Sequence, residues 1–179
     1  MRRLSRILGS LFLVMSLSAG AAQAQDLDDT LYMDLEDGRV VIQLRPDLAP
    51  KHVARIKELA REGFYDGIIF HRVIPSFMAQ SGDPTGTGRG GSDKPDLPAE
   101  FSNEPFVRGT LGMARTSDPN SANSQFFITF GETSHLNGQY TVWGQVVEGM
   151  EFVDQIEKGE PPRNPDRIVK MQVAADAQG

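Results

Sequence analysis

Apolar and polar residues alternate in two runs near the start of the chain, at residues 31–36 and 39–44. Asp37-Gly38 separates the runs, and this dipeptide suits a tight turn that requires positive φ. The pattern therefore predicts a β-hairpin. After it, Pro50 opens a segment whose apolar residues recur at helical spacing until Gly63, which predicts an amphipathic helix with Pro in its first turn.

From Ile68 the apolar period changes to two, as is typical of β-strands. Residues 82–100 interrupt this pattern because they are rich in Gly, Pro, Asp and Ser, and they predict a long exposed loop of the kind that often carries function. A second helix is expected at residues 150–158, where Gly159 ends it. The predicted strands lie at residues 68–74, 77–80, 109–114, 125–130, 142–147 and 168–173.

Short strands with turn signals between them, and only two helices, favour a mainly β fold. A closed antiparallel β-barrel with both helices packed outside it fits this order of elements. The length of 179 residues, with 39% hydrophobic and 23% charged residues, is typical of one globular domain. We expect the ordered core of that domain to span about residues 31–173.

Residues 1–24 differ in composition from the rest of the chain. Three arginines, Arg2, Arg3 and Arg6, precede an apolar stretch at residues 7–19, and Ala22-Gln23-Ala24 has the form of a signal-peptidase site. We therefore expect a signal peptide over residues 1–24, cleavage before Gln25, a mature domain over residues 25–179 and a periplasmic location without membrane attachment. A membrane anchor is the alternative, but the apolar stretch is shorter than the roughly 20 residues that a spanning helix needs.

Charge and cysteine content narrow the classes of function. Three of the eighteen basic side chains and none of the 24 acidic ones lie in residues 1–24, so residues 25–179 carry fifteen basic against 24 acidic side chains, a formal charge of −9. Such a chain repels phosphate backbones, and we expect no binding of nucleic acid. The absence of cysteine excludes disulfides, thiolate catalysis and cysteine-based zinc sites.

The common catalytic motifs are missing. The three histidines, His52, His71 and His135, are far apart and form no H-E-x-x-H motif, so no metal site is predicted. Residues 86–91 are glycine-rich but lack the Lys-Ser/Thr of a phosphate-binding loop, and an exposed loop is the better interpretation. No G-x-S-x-G motif is present, which leaves a serine hydrolase as a distant alternative.

A polar residue among apolar neighbours is the first candidate for function. Strand alternation would place Arg72 on the same face as Phe70 and Ile74, and this position needs an explanation. A salt bridge or an exposed strand edge would be the simplest one. Alternation also groups Met78 with Gln80, and Gln125 with Phe127 opposite Phe126 and Ile128.

Several stretches, read together, resemble the cyclophilin family of peptidyl-prolyl cis-trans isomerases. Residues 70–83, FHRVIPSFMAQSGD, closely resemble the family signature. The likeness spans roughly residues 31–173 and continues through GMAR at 112–115, NSQFFI at 123–128, LNG at 136–138 and VWGQV at 142–146. Two long motifs in the same order make the resemblance highly specific.

The resemblance implies a closed eight-stranded antiparallel β-barrel capped by two α-helices, with an outer groove that binds proline-containing peptides. Arg72 matches the catalytic arginine of the family, and no metal or other cofactor is implied. Three positions differ from the best-known eukaryotic members: His135 replaces a tryptophan that contacts cyclosporin, Tyr140 replaces a histidine, and the segment between Met113 and Gln125 is one residue longer. The positions matched to substrate binding are Phe77, Met78, Gln80, Ala114, Arg115, Gln125, Phe127, His135, Leu136 and Tyr140.

The resemblance therefore predicts a peptidyl-prolyl cis-trans isomerase that assists the folding of exported proteins. Its expected partners are proline-containing peptides and unfolded exported proteins, its expected form is a monomer, and its expected affinity for cyclosporin is weak. A module that binds proline-containing peptides or acts as a chaperone without turnover is the alternative. Arg72 favours the enzyme, because a pure binder has little need of a charged donor in an apolar groove.

Overall fold

The computed structural model describes residues 26–178, so the expected signal peptide lies outside the described residues. The predicted hairpin is confirmed: β1 (Thr30–Asp34) pairs antiparallel with β2 (Arg39–Leu44). Helix α1 (Pro50–Arg61) follows, with Pro50 at its first position as expected. No helix in this described part of the chain has the length and apolar character needed to cross a membrane.

Residues 26–178 contain eight strands in a single antiparallel sheet and two α-helices, which confirms the mainly β prediction. The order across the sheet is β3-β4-β6-β5-β7-β2-β1-β8. The remaining elements are β3 (Arg72–Ile74), β4 (Met78–Ser81), β5 (Thr110–Met113), β6 (Phe126–Thr129), β7 (Val142–Glu148), α2 (Met150–Gln155) and β8 (Lys170–Val173).

The prediction of a closed barrel is wrong, because the sheet is an open half-barrel whose edge strands, β3 and β8, do not pair with each other. The edge of β3 is already occupied: Val73 exchanges two backbone hydrogen bonds of 2.8 Å with Gly159, in the segment after α2. An isolated bridge between Ile69 and Arg167 connects the segments that precede the two edge strands. Direct pairing of β3 with β8 would need the backbone groups of Val73 that already bond to Gly159.

The main hydrophobic core lies between the inner face of the sheet and the two helices. Helix α1 contributes Val53, Ile56 and Leu59, all buried against residues of the strands. In the same cluster, Phe126 meets the ring of Trp143 edge-on at 5.6 Å. A smaller, separate cluster lies on the outer face and is formed by Met78, Phe106, Phe127, Leu136 and Val142.

The strand that carries Arg72 is shorter than predicted, and this changes which face its neighbours occupy. β3 begins only at Arg72, so the alternation does not extend back to Phe70. Phe70 is fully buried in the main core, as is Val73, whereas Ile74 packs against the outer cluster. The prediction that Phe70 shares a face with Arg72 is therefore wrong, while Arg72 and Ile74 do lie on the same, outer face.

Candidate active site

The floor of the candidate site is the outer face of β4 and β6. Met78 and Phe127 belong to the outer cluster, while Ala79, between Met78 and Gln80 in sequence, points into the main core, as the alternation predicts. Gly112 of β5 lies opposite Phe127 in the register. A β-carbon at Gly112 would overlap the ring of Phe127 and come within 2.8 Å of Phe106, so glycine leaves the space that both rings occupy.

A groove of about 470 Å³ lies over this floor. Its apolar part is made by residues that the sequence resemblance matched to substrate binding, and its rim carries two arginines. The residues that line it are His71, Arg72, Phe77, Met78, Gln80, Gly86, Thr87, Gly88, Ala114, Arg115, Phe127, Leu136, Tyr140, Glu160 and Pro161. The structure thus brings together Arg72 and eight of the ten predicted substrate-binding residues in one groove; Gln125 and His135 lie beside it.

Arg72 lies at the edge of the groove with 43% of its side chain exposed. Its position opposite Gln80 in the β3–β4 pairing places the two polar side chains next to each other. The Nε–H of Arg72 donates to a carboxylate oxygen of Glu160 at 2.8 Å. The ion pair that the sequence suggested as the simplest explanation is therefore present, but it is solvent-exposed and lies in the groove.

Two glutamines connect the floor to the loop between β4 and β5. The Nε2 of Gln80 donates to the Oε1 of Gln125 at 2.9 Å, and the Nε2 of Gln125 donates to the carbonyl of Gly90 at 2.8 Å. Gln125 therefore lines an adjoining cavity with Gln80, beside Arg115 and Asn123, and not the main groove itself. The two cavities form one continuous surface because they share Gln80 and Arg115.

A buried aspartate anchors the loop that forms one wall of the groove. The carboxylate of Asp83 accepts hydrogen bonds from the backbone N–H and hydroxyl of Thr85 at 2.8 Å and from the N–H of Gly88 at 2.6 Å. Burial alone would raise the pKa of Asp83, but these donors outweigh it and lower that pKa to about 2. The charged carboxylate therefore holds the loop in place at neutral pH.

His71, the neighbour of Arg72, also lines the groove but was not predicted as a site residue. Burial lowers its pKa, and the nearby charge of Asp83 only partly opposes this effect. The imidazole is therefore neutral at pH 7 and adds no charge beside Arg72. Its ring lies against Gly88 of the loop, where an added β-carbon would be 3.4 Å from the ring.

Arg115 and Tyr140 form the opposite wall. The Arg115 guanidinium lies 4.4 Å from the centre of the Tyr140 ring and donates to the carbonyls of Thr116 and Gln139 at 2.8 and 2.7 Å. The Tyr140 ring meets Phe127 edge-on at 5.7 Å. These contacts hold the Arg115 guanidinium in place along this wall, and its predicted part in substrate binding stays a prediction.

His135 lies just outside the groove, where its ring is 5.5 Å from that of Phe77. It belongs to a short 3-10 turn, Ser134–Leu136, whose last residue does line the groove. His135 is therefore an exposed residue beside the apolar wall, and its predicted part in binding stays a prediction.

Sequence reasoning missed Phe106, which stacks on Phe127 at 5.6 Å under the floor, and also Glu160 and Pro161. Only the loop at residues 82–100 carried a signal, because its length and composition suggested function, and it supplies Gly86, Thr87 and Gly88. Across residues 26–178, no group of three or more His, Asp or Glu side chains is arranged to hold a metal ion. The chemistry available is an apolar pocket beside a half-exposed guanidinium.

A family model for cyclophilin-type peptidyl-prolyl cis-trans isomerases matches residues 30–173, nearly the whole described chain. The chain belongs to the cyclophilin family. Cyclophilins of this type are isomerases. The matched residues include all eight strands of the sheet and both α-helices described above. The family signature includes the outer faces of β3 and β4, where Arg72, Met78 and Gln80 lie.

Curated relatives and solved structures agree with this membership. A probable peptidyl-prolyl cis-trans isomerase of Brucella suis is 56% identical over 182 residues, covering 91% of this cyclophilin and 93% of the relative. Peptidyl-prolyl cis-trans isomerase B of Bacillus subtilis is 43% identical over 134 residues, covering 73% and 92%. The crystal structure of the cyclophilin AquaCyp293 from Hirschia baltica has a TM-score of 0.78 at 30% identity, covering 84% and 76%.

A second solved structure bears on the ligand. A cyclophilin-type isomerase of Cryptosporidium parvum, determined in the presence of the dipeptide Ala-Pro, has a TM-score of 0.75 at 30% identity and covers 80% of this chain and 98% of its own. The likeness in fold extends over most of both chains.

Proposed function

We propose that this cyclophilin catalyses rotation about X-Pro peptide bonds in the groove over β4 and β6, with Arg72 as the catalytic residue. The observation that carries the proposal is the position of a half-exposed guanidinium at the edge of an apolar pocket formed by Phe77, Met78, Phe127 and Leu136. The relative determined in the presence of Ala-Pro supports a proline-containing ligand for this groove.

The reaction needs no bond to be made or broken. Rotation about the X-Pro bond disrupts amide resonance, and its barrier of about 18–20 kcal/mol makes the uncatalysed step slow. In the twisted state the prolyl nitrogen regains a lone pair, so an N–H donor directed at it stabilises that state more than either planar isomer. A guanidinium offers several N–H groups in a fixed plane, which allows one contact to the nitrogen and another to a carbonyl.

The remaining groove residues hold the peptide while the bond turns. The apolar walls surround the proline ring and reduce the access of water to Arg72, which strengthens its electrostatic effect. Gln80 donates to the side chain of Gln125. The backbone N–H of Ala114 donates to the backbone carbonyl of Gln125 at 2.9 Å, which places Ala114 next to this pair. The carbonyl of Ala114 and the amides of both glutamines are therefore placed to bind the peptide backbone.

A turnover assay on short X-Pro peptides tests the proposal. Line-shape or exchange NMR on an Ala-Pro peptide measures binding and the rate of cis-trans exchange in the same sample. We expect accelerated exchange that titrates with the amount of enzyme. Binding without accelerated exchange would support the alternative, a peptide-binding or chaperone module without turnover, and would refute the isomerase proposal.

We further propose that the enzyme acts on exported proteins in the periplasm. The support is the arrangement of residues 1–24, with a basic start, an apolar stretch and the Ala22-Gln23-Ala24 site. Expression of the full chain in a Gram-negative host, followed by fractionation and intact-mass measurement, tests this. A periplasmic form that begins at Gln25 is expected, and a form that keeps Arg2 to Arg6 in the membrane fraction would indicate an anchor instead.

A further inference from the structure

Arg72 and Glu160 face each other across a short antiparallel bridge that lies outside the main ladder of the sheet. Val73 and Gly159 exchange both backbone hydrogen bonds at 2.8 Å. In an antiparallel bridge the residue before one partner lies opposite the residue after the other, so Arg72 is opposite Glu160. The backbone itself therefore sets the register that brings the two side chains together.

The turn that carries Glu160 requires glycine at position 159. A β-carbon on Gly159 would lie 2.5 Å from the Cα of Pro162 and 2.8 Å from the carbonyl oxygen of Pro161, so a larger residue would disrupt this turn. Glu160 and Pro161, which follow, both line the groove. The Val73–Gly159 bridge thus holds the segment after α2 against β3, next to the point where the carboxylate of Glu160 contacts Arg72.

The ion pair uses the inner edge of the guanidinium. Glu160 accepts from Nε at 2.8 Å, and among residues 26–178 the two terminal amino groups of Arg72 have no hydrogen-bond acceptor. Long arginine side chains otherwise populate many rotamers, and fixing one of them at a binding surface costs free energy. A contact at Nε restricts the plane of the guanidinium while it leaves the terminal N–H groups available to a substrate.

We propose that Glu160 is a positioning residue for Arg72: it holds the guanidinium through Nε so that its terminal N–H groups face the proline pocket. This inference rests on the proposed catalytic role of Arg72. It assigns a task to a residue 88 positions further along the chain, outside the motifs that carry the family resemblance. The opposite role, competition with substrate for Arg72, makes contrary predictions.

Glu160→Ala and Glu160→Gln separate these roles. Alanine removes the acceptor, whereas glutamine keeps an oxygen that accepts from Nε without the charge. We expect Glu160→Ala to lower kcat about two- to tenfold, the equivalent of the roughly 0.5–1.5 kcal/mol needed to immobilise a rotamer-rich side chain, with KM nearly unchanged. Glu160→Gln should stay within about twofold of the parent enzyme.

Asp176→Ala is the matched control. Asp176 pairs with Arg61 at 2.8 Å, with 50% of the arginine and 44% of the aspartate side chain exposed, against 43% and 52% for Arg72 and Glu160. Neither residue of this control pair lines the groove. We expect Asp176→Ala to match Glu160→Ala in melting temperature and the parent enzyme in kcat.

Two further readouts keep the test independent of stability. The ¹H–¹⁵N signal of the Arg72 Nε–H should exchange with solvent more slowly in the parent enzyme than in Glu160→Ala. In an Arg72→Ala background, adding Glu160→Ala should have no further effect on kcat, since a positioning residue has nothing left to position.

The outcomes distinguish this inference from the proposed function. If Arg72→Ala loses activity while Glu160→Ala keeps the kcat of the parent enzyme, the positioning role is overturned and the catalytic role of Arg72 stands. A rise in kcat/KM for both Glu160 variants would also overturn it, because Glu160 would then compete with substrate. If Arg72→Ala itself keeps full activity, the proposed catalytic role fails, and the role of Glu160 fails with it.

Discussion

Replacing Arg72 by alanine is expected to lower kcat/KM strongly and to change stability little. A hydrogen bond to a charged group is worth roughly 1.5–3 kcal/mol. At about 1.4 kcal/mol per decade, loss of such a contact in the twisted state predicts a decrease in kcat/KM of about ten- to a hundredfold or slightly more.

The structure sets the expected change in stability. The only hydrogen bond of the Arg72 side chain within the described chain is the exposed one to Glu160, and exposed ion pairs contribute about 0–1 kcal/mol. A loss of 1 kcal/mol corresponds to a shift of about 2–4 °C in the melting temperature of a domain of this size. The free energy lost in catalysis should therefore exceed the free energy lost in folding.

Exchange NMR or a protease-coupled assay on one X-Pro peptide, together with calorimetric melting, measures both quantities. Arg61→Ala is the matched control, because Arg61 is also a half-exposed arginine with one carboxylate partner and is not part of the groove. Arg72→Lys is the sharper variant, since it keeps the charge and loses the planar set of donors. Full turnover by Arg72→Lys would refute the two-contact role, and a fall in melting temperature without loss of turnover in Arg72→Ala would refute catalysis by Arg72.

Three other predictions follow from the floor, the loop and the rim of the groove. Gly112→Ala should lower stability by about 1–3 kcal/mol and raise KM, because its methyl group displaces the rings of Phe106 and Phe127; an unchanged melting curve with normal KM would contradict the close packing. Asp83→Asn should lower the melting temperature at pH 7. Folding lowers the pKa of Asp83 to about 2, so the stability that its charge contributes is present above about pH 4 and is lost as the pH falls towards 2. A difference in stability between Asp83→Asn and the parent enzyme that is the same at pH 7 and at pH 2 would refute this prediction. Cyclosporin should inhibit weakly and His135→Trp should tighten inhibition, because indole adds apolar area and an N–H donor; tight inhibition of the parent enzyme would show that another residue supplies the contact.

Local periodicity predicted most of the elements and part of the site. A period of two within short strands predicts that Met78 and Gln80 share one face and that Phe127 lies on the face opposite Phe126. The structure confirms both predictions. The same rule failed at Phe70, because it holds only inside a strand and β3 begins at Arg72. A pattern of apolar residues does not show where a strand gives way to irregular backbone.

Features that depend on distant parts of the chain were beyond sequence reasoning. Closure of the sheet depended on whether β3 would pair with β8 or with Gly159, and nothing in either segment distinguishes the two. Glu160 has no local signal of function, since it reaches Arg72 only through that bridge. Phe106 follows a long irregular segment, and its burial depends on the outer cluster, where it stacks on the ring of Phe127.

The loop between β4 and β5 has almost no regular secondary structure, yet side chains tie it down along its length. Asn123 accepts from the N–H of Ser92 at 2.9 Å, and Glu100 accepts from the His52 ring at 2.7 Å. Lys94 contacts Glu58 of α1 at 3.0 Å and Glu62, which directly follows α1, at 2.7 Å. The conformational entropy of this wall is therefore lost when the chain folds and not when a peptide arrives. Association should then be fast and nearly rigid, with a heat-capacity change that reflects only the apolar area covered, and release of either isomer should not have to wait for this wall to open.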